Sequence, residues 1–344
     1  MMNESFSSQL LKWYNEYGRD LPWRNTTNPY RIWVSEIILQ QTRVNQGYDY
    51  FVRFIRRFPT VRDLAVASLD EVMKYWQGLG YYSRARNLHA AAKQIVEMGA
   101  FPRSYEEVRA LKGVGDYTAA AIVSFAYNEP RAVVDGNVYR VLARYFNIDT
   151  PIDTAKGKKT FQLLAQELLP ANDAALYNQA IMDLGAMRCT PMNPLCVDCP
   201  LQDGCAAFYE GRVLDVPVKQ HATKVRNRYF AYIYVRCGDE ILLRKRVGND
   251  IWKGLYEIPL VESDEPIGLE QLERLPWIAS PLKILRKNIL HQLSHQLLYV
   301  DFYLAECARR PAIDGTWVKE SARDEYAVSR LMANLFAICD DGVS

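Results

Sequence analysis

Four cysteines fall within seventeen residues, at Cys189, Cys196, Cys199 and Cys205, in the spacing C-x6-C-x2-C-x5-C. Thiolates this close can enclose a [4Fe–4S] cluster or a tetrahedral zinc, and either centre dictates how the surrounding loop must close. Spacing alone leaves the two open. It departs from the ferredoxin pattern, so electron transfer is not implied. Cys237, Cys307 and Cys339 lie apart from this group. The start, MMNESFSSQL, lacks the basic and apolar segments of a secretory signal, and no apolar run is long enough to cross a bilayer. The expected compartment is the cytoplasm, where a disulfide framework is not expected.

A chain of 344 residues has room for two or three domains. Its net charge of +2 neither demands nor excludes nucleic acid, since a local basic patch suffices to bind phosphate. Such a patch runs from Arg212 to Arg228, where Arg212, Lys219, Lys224, Arg226 and Arg228 face one acid, Asp215. A solvated linker and a phosphate-contacting one both fit it. Before it, RIWVSEIILQQ, LDEVMKYW, RARNLHAAAKQIVEM and DYTAAAIVSFAY carry helical periodicity, and Ser104 with Glu107 forms a capping-box pattern. After it, YFAYIYV and EILLRKR flank Cys237-Gly238-Asp239 and predict a hairpin. Leu255–Val261 and Leu297–Leu304 predict further strands, and Val328–Cys339 a terminal helix. The fold class expected is multidomain, an all-α region followed by an α+β domain.

Two carboxylates stand out. Gly113-Val114-Gly115 precedes a helical pattern, so the chain can turn tightly there and present unpaired backbone N–H groups to a phosphate. Downstream, Asp135-Gly136-Asn137 opens another helix, which makes Asp135 an N-cap whose charge the helix N-terminus favours. Glu36 lies in SEIILQQT on a face shared with Ile32, Trp33, Leu39 and Gln40. Burial there would raise its pKa and make it a proton donor near neutral pH, whereas a place on the helix rim would leave it ordinary.

The segments LPWR, SEIILQQTRV and GLGYYSRARNLH closely resemble the adenine DNA glycosylase family. That family belongs to the endonuclease III, or helix–hairpin–helix, superfamily of DNA glycosylases, whose cluster loop the cysteine spacing also resembles. The resemblance covers nearly the whole chain and is dense over residues 20–205. It implies a [4Fe–4S] cluster held by the four cysteines, with Gly113 and Gly115 in a hairpin that grips DNA. Glu36 would protonate adenine N7, Asp135 would stabilise the sugar cation, and Asn137 would orient it or the sugar. Trp23, Arg24 and Gln179 would line the adenine pocket. Gln41, Thr42, Leu79 and Tyr81 would contact an opposite 8-oxoguanine, with Tyr81 wedged into the stack. Tyr117 stands where lyase-type relatives carry a lysine that forms a Schiff base, so a monofunctional enzyme is implied.

Residues 229–344 resemble the Nudix-like domain appended to these enzymes. The glutamate-rich metal box of true Nudix hydrolases is not visible, so pyrophosphate hydrolysis is not expected. The family's Phe-Ser-His turn corresponds to Leu293-Ser294-His295, which assigns Ser294 and His295 to the opposite base and leaves the packing at Leu293 open. The expected organisation is therefore a catalytic region over 1–212, a basic linker over 213–228 and the Nudix-like domain over 229–344. Within the first, a six-helix module would span about 22–130, and 1–21 with 131–212 would form the cluster module. The expected partner is double-stranded DNA holding A:8-oxoguanine or A:G mispairs, bound by a monomer without membrane association. Two other readings remain at this point, a thymine-directed enzyme of the superfamily and a non-catalytic DNA-binding protein. Glu36 and the large second domain weigh against the first, and the presence of both Glu36 and Asp135 against the second.

Overall fold

The computed structural model describes residues 2–221 and 225–341, so Lys224 of the basic stretch lies outside the described residues. Helices come first. They are α1 (Met2–Tyr17), α2 (Pro29–Leu39), α3 (Val44–Arg57), α4 (Val61–Val66), α5 (Leu69–Trp76), α6 (Ser83–Met98), α7 (Tyr105–Arg109), α8 (Asp116–Tyr127), α9 (Gly136–Tyr145), α10 (Ala155–Leu168), α11 (Ala174–Met187) and α12 (Ala206–Tyr209). Strands follow as β1 (Arg226–Cys237), β2 (Glu240–Lys245), β3 (Tyr256–Glu257) and β4 (Leu260–Ser263). Then come α13 (Leu269–Glu273), β5 (Lys283–Gln292), β6 (Gln296–Glu306), β7 (Thr316–Lys319) and α14 (Arg330–Asp341). The contacts divide the chain into two compact units, Met1–Ala65 with Ala90–Ala222, and Val66–His89 with Thr223–Ser344. This cut differs from one made along the sequence, because residues 66–89 group with the strands. The Tyr256 hydroxyl donates to Asp70 at 3.2 Å and Arg86 Nη1 donates to the Lys253 carbonyl at 2.6 Å, contacts that no local periodicity announces.

The first unit is built on helix faces. Phe6, Leu10 and Trp13 of α1 pack with Val138, Val141 and Leu142 of α9 and with Tyr177, Ile181 and Leu184 of α11. Local chemistry fixes the helix starts. Asn28 caps α2, Ser104 and Glu107 close the expected capping box on α7, and Asp135 caps α9 by accepting from the N–H groups of Asn137 and Val138. Gly113 adopts φ +78° in the turn between α7 and α8, a left-handed conformation that favours glycine. Gly115 caps α8 with no side chain, which leaves the first N–H groups of that helix available to an anion.

In the second unit the sheet order is β3-β2-β1-β6-β5, with β4 paired to β1 and β7 to β2. The β1–β6 pair is parallel and the other pairs are antiparallel. β1 is central and covered on both sides, which explains its unbroken apolar run. Phe230, Tyr232 and Tyr234 face Leu331, Leu335 and Phe336 of α14, while Ala231, Ile233 and Val235 face Leu272 of α13. The predicted β1–β2 hairpin forms, with Gly238 at φ +64° in its turn. The strand expected over 255–261 is instead two short strands, interrupted at Ile258-Pro259 because proline cannot donate to a ladder. The terminal helix starts after Ser329, whose hydroxyl accepts from the Met332 N–H, two residues later than the pattern indicated.

Candidate active site

A cavity of about 330 Å³ opens in the first unit, within the usual range for small-molecule sites of roughly 300–1,000 Å³. Glu36, Tyr117, Asp135, Asn137, Trp23, Arg24, Gln179, Gln41 and Thr42 all line it, so residues from five separate segments meet there. Glu36 is delivered by α2, whose first turn Asn28 secures, and it is 6 % exposed. Burial pushes its carboxyl up to about 7, with the nearby Asp135 charge adding to the rise. The Tyr117 hydroxyl donates to Glu36 Oε2 at 3.0 Å and works in the opposite sense.

Asp135 sits at the start of α9. Its Oδ1 accepts from the backbone N–H groups of Asn137 and Val138, both at 2.8 Å, and its Oδ2 from Asn137 Nδ2 at 2.7 Å. Burial raises its pKa and these hydrogen bonds oppose the rise, leaving the group above the ordinary aspartate value. The expected roles of cap and cavity carboxylate are thus held by one side chain. Asn137 is fixed in turn by Arg140 Nη2, which donates to Asn137 Oδ1 at 2.8 Å. Gly185 of α11 lies so close that an added Cβ would come within 2.6 Å of Asn137 Cβ.

The adenine-pocket candidates are held by partners that the sequence did not reveal. Arg24 donates to both oxygens of Asp183, at 2.5 and 2.6 Å. Arg19 binds the same carboxylate through its side chain and, at 3.0 Å, its backbone N–H. Asp183 has no exposed side-chain surface. Burial pushes its carboxyl up, but the hydrogen bonds from Arg24 and Arg19 outweigh that and leave it below the usual aspartate value. The Tyr14 hydroxyl donates to Gln179 Oε1 at 3.0 Å and accepts from Arg24 Nη1 at 3.3 Å. Trp23 is buried, edge-on to Phe51 with ring centroids 5.2 Å apart.

Leu79, Tyr81, Ser294 and His295 line a second cavity of about 490 Å³, which lies within the second unit. Leu293, Ser294 and His295 form the turn between β5 and β6, closed by the Leu293 N–H donating to the Gln296 carbonyl at 2.8 Å. Leu293 packs against the core beneath the sheet, so an aliphatic residue fills this position. Ser294 and His295 remain exposed. The Tyr81 hydroxyl is hydrogen-bonded to Ser294 Oγ. Gln41 and Tyr81 both hold left-handed backbone, at φ 57° and 46°. Such strain in non-glycine residues costs on the order of 1–3 kcal/mol and tends to persist at functional positions. Leu79 is largely buried, as is Tyr82, whose hydroxyl accepts from the Gly78 N–H at 3.1 Å.

Cys189, Cys196, Cys199 and Cys205 line one small pocket with Arg144 and Arg188. Among the described residues no three His, Cys, Asp or Glu side chains converge as ligands of a single ion. Arg144 is buried, places Nη1 3.3 Å from Cys189 Sγ, and also holds the loop carbonyls of Thr190 and Pro191. A buried cation at this point suits an anionic group bound by thiolates.

The family description "HhH-GPD superfamily base excision DNA repair protein" matches residues 34–170, and "NUDIX domain" matches residues 231–337. An adenine DNA glycosylase of Buchnera aphidicola is 35 % identical over 87 % of this chain and 84 % of its own length. A human adenine DNA glycosylase is 43 % identical over 97 % of this chain and 74 % of its own. The chain belongs to the adenine DNA glycosylase family. It is an enzyme of base excision repair that hydrolyses N-glycosyl bonds. Among solved structures, a thermostable thymine-DNA glycosylase is 29 % identical, with a TM-score of 0.56 over 60 % of this chain and 97 % of that one. An endonuclease III–DNA complex shares the fold at 22 % identity and a TM-score of 0.51, over 60 % of this chain and 94 % of that one. Among the described residues of this glycosylase, no helix is long and apolar enough to cross a membrane.

Proposed function

We propose that this glycosylase excises adenine mispaired with 8-oxoguanine or guanine in duplex DNA, as a monomer in the cytoplasm. Residues 1–212 carry the chemistry, with a helix–hairpin–helix module over about 22–130 and a cluster module formed by 1–21 and 131–212. Residues 213–228 link this region to 229–344, which reads the opposite base. Cys189, Cys196, Cys199 and Cys205 would hold a [4Fe–4S] cluster, which when bound supplies a rigid charged brace for its loop.

A base inside a duplex must leave the stack before its glycosidic bond can be reached. The N–H groups after Gly113 and Gly115 hold a backbone phosphate, and Tyr81 and Gln41 occupy the space that adenine vacates. Trp23, Arg24 and Gln179 receive the base. Glu36, half protonated near neutral pH, gives its proton to adenine N7, and the C–N bond breaks as the base becomes a better leaving group. The sugar then carries positive charge, which Asp135 as an anion balances while Asn137 holds it in place. Glu36, now a carboxylate, takes a proton from the water that adds to the sugar. An acid and an anion with separated roles follow the general logic of glycoside cleavage. Tyr117 offers no amine to the sugar, so no Schiff base forms and the abasic strand stays intact.

The observation that carries this reading is the buried Glu36 carboxyl, held near 7, in one cavity with Asp135. The test is single-turnover cleavage of duplexes holding A:8-oxoguanine, A:G or T:G, with iron measured on the same preparation. Adenine release from the first two, an intact abasic strand and about four irons per chain are expected. Release of thymine, or colourless protein with one zinc, would overturn the corresponding part.

A further inference from the structure

We propose that Cys237 and Cys307 form a disulfide on exposure to peroxide, a modification site separate from the cluster cysteines and from the excision chemistry. The pairing follows from sheet register. β1 and β6 run parallel and their register ends at Arg236 opposite Glu306, a pair closed by the Cys307 N–H donating to the Arg236 carbonyl at 2.8 Å. Carrying that register on by one residue sets Cys307 beside Cys237, with which it interacts electrostatically, and direct neighbours point to the same face.

The side chains agree. Ile233, Val235, Tyr303, Ala305 and Cys307 pack on the face covered by α13, and strand alternation carries Cys237 to that face. Adjacent strands lie about 4.8 Å apart, inside the roughly 4.4–6.8 Å Cα separation that disulfides span. Both thiols are free and partly exposed. Cys339, by contrast, is buried in the core on the opposite face of the sheet and has no such neighbour.

The surroundings also assign an order to the chemistry. Burial, with the neighbouring Cys237 adding to it, pushes the Cys307 thiol up and disfavours its thiolate. The thiolate is the form that attacks peroxide, so the first oxidation is assigned to Cys237. The Cys237 thiolate takes one oxygen of hydrogen peroxide, giving a sulfenic acid, and the other oxygen leaves as hydroxide and is protonated to water. The Cys307 thiolate then attacks the Cys237 sulfur, the S–S bond forms, and the sulfenic oxygen departs as a second water. Two thiols lose two electrons and two protons, and one peroxide is reduced to two waters. The bond closes a loop over residues 237–307, which contains the turn Leu293–His295. It joins strands already hydrogen-bonded to each other, so it fits the native sheet and leaves the cavity of Glu36 and Asp135 untouched.

The test uses the full-length, cluster-loaded protein treated with hydrogen peroxide, quenched with acid and alkylated. Before alkylation the expected product is lighter by about 2 Da; after it, the product carries two fewer alkyl groups and yields a peptide linking Cys237 to Cys307 that a dithiol reductant cleaves. Its melting midpoint should rise, and adenine release should stay within twofold of the untreated enzyme. In Cys307→Ser, dimedone should label Cys237 as a sulfenic acid, while Cys237→Ser should leave Cys307 largely unlabelled. A Cys237→Ala and Cys307→Ala pair with normal melting guards against misfolded variants. The proposal is overturned if the wild-type protein keeps both thiols, or if it gains oxygen at Cys237 without the linked peptide.

Discussion

The Tyr117 hydroxyl donates to Glu36 Oε2 at 3.0 Å across the first unit's cavity. Tyr117 is the second residue of α8, just after the Gly113–Gly115 turn, so the element that would grip DNA also touches the proposed acid. Tyrosine and glutamate oppose each other here. Burial drives the Glu36 carboxyl upward, while a donor aimed at its oxygen favours the ionised form, and the balance leaves it near 7.

Removing that donor should move the pH profile. In the wild-type enzyme the single-turnover rate should fall as pH rises through about 7, because Glu36 must carry a proton. Tyr117→Phe deletes the contact that lowers Glu36, so the alkaline limb should move up by roughly one unit. Rate–pH profiles of the two proteins decide it. An unchanged or lowered limb would show that the phenol does not tune this carboxyl.

Glu36→Gln should separate activity from stability. Adenine release should drop about a hundredfold or more, since the amide cannot donate the proton, while substrate DNA is still bound. Stability should move the other way. A carboxyl raised on folding binds its proton more tightly in the native state than in the unfolded chain. Its stabilisation is complete below about 4.5 and is lost as pH rises through about 7. At pH 8 the variant should therefore be the more stable protein, by up to about 3 kcal/mol, and the difference should vanish below pH 4.5. Chemical denaturation at both pH values measures this.

Asp183 should act as a positioning residue. It touches no proposed reacting atom, yet it anchors Arg24 and Arg19 with no exposed surface. Asp183→Asn leaves two cations without their shared anion, and breaking a buried pair costs about 3–5 kcal/mol. At temperatures where the variant remains folded, KM for substrate DNA should rise and the rate at saturation should fall at least about tenfold, because the pocket wall shifts. Asp183→Glu should recover part of the rate. Normal kinetics in a folded Asp183→Asn protein would reduce Asp183 to a structural role.

What the sequence disclosed and what it hid follow from range. The Asp135 cap and the glycine turn were readable because caps and glycine turns are local signals, confined to a few residues around Gly113–Asp116 and Asp135–Val138. The Arg24–Asp183 and Tyr14–Gln179 pairs join α11 to segments 159 and 165 positions away, which no window along the chain can link. β1 was legible because both its faces are buried. β5 was not, since KILRKNILHQ is an edge strand carrying exposed Arg286, Lys287 and Asn288 and two register shifts against β6. The partition of residues 66–89 was hidden for the same reason as Asp183, because it depends on side chains meeting strands far along the chain.

Reading of the opposite base should depend on Ser294. 8-Oxoguanine differs from guanine by an oxygen at C8 and a proton at N7, so a reader must place hydrogen-bonding groups at that edge. Ser294 is exposed on the β5–β6 turn, and its hydroxyl meets that of Tyr81 at the rim of the second cavity. The turn itself is secured by the Leu293–Gln296 bond and by Leu293 packing beneath it, so Ser294→Ala should leave the fold intact. Losing one such contact should cost about 1–3 kcal/mol of discrimination, roughly 5- to 150-fold. The loss should appear as weaker binding and slower excision for A:8-oxoguanine with little change for A:G. Tyr81→Phe should show part of the same loss, because its hydroxyl no longer orients Ser294, and combining the two changes should add little. Binding and single-turnover rates on both duplexes supply the comparison. If Ser294→Ala kept its full preference for 8-oxoguanine, the reading would fall to Gln41, Thr42, Leu79 and Tyr81, and the turn would need a different role.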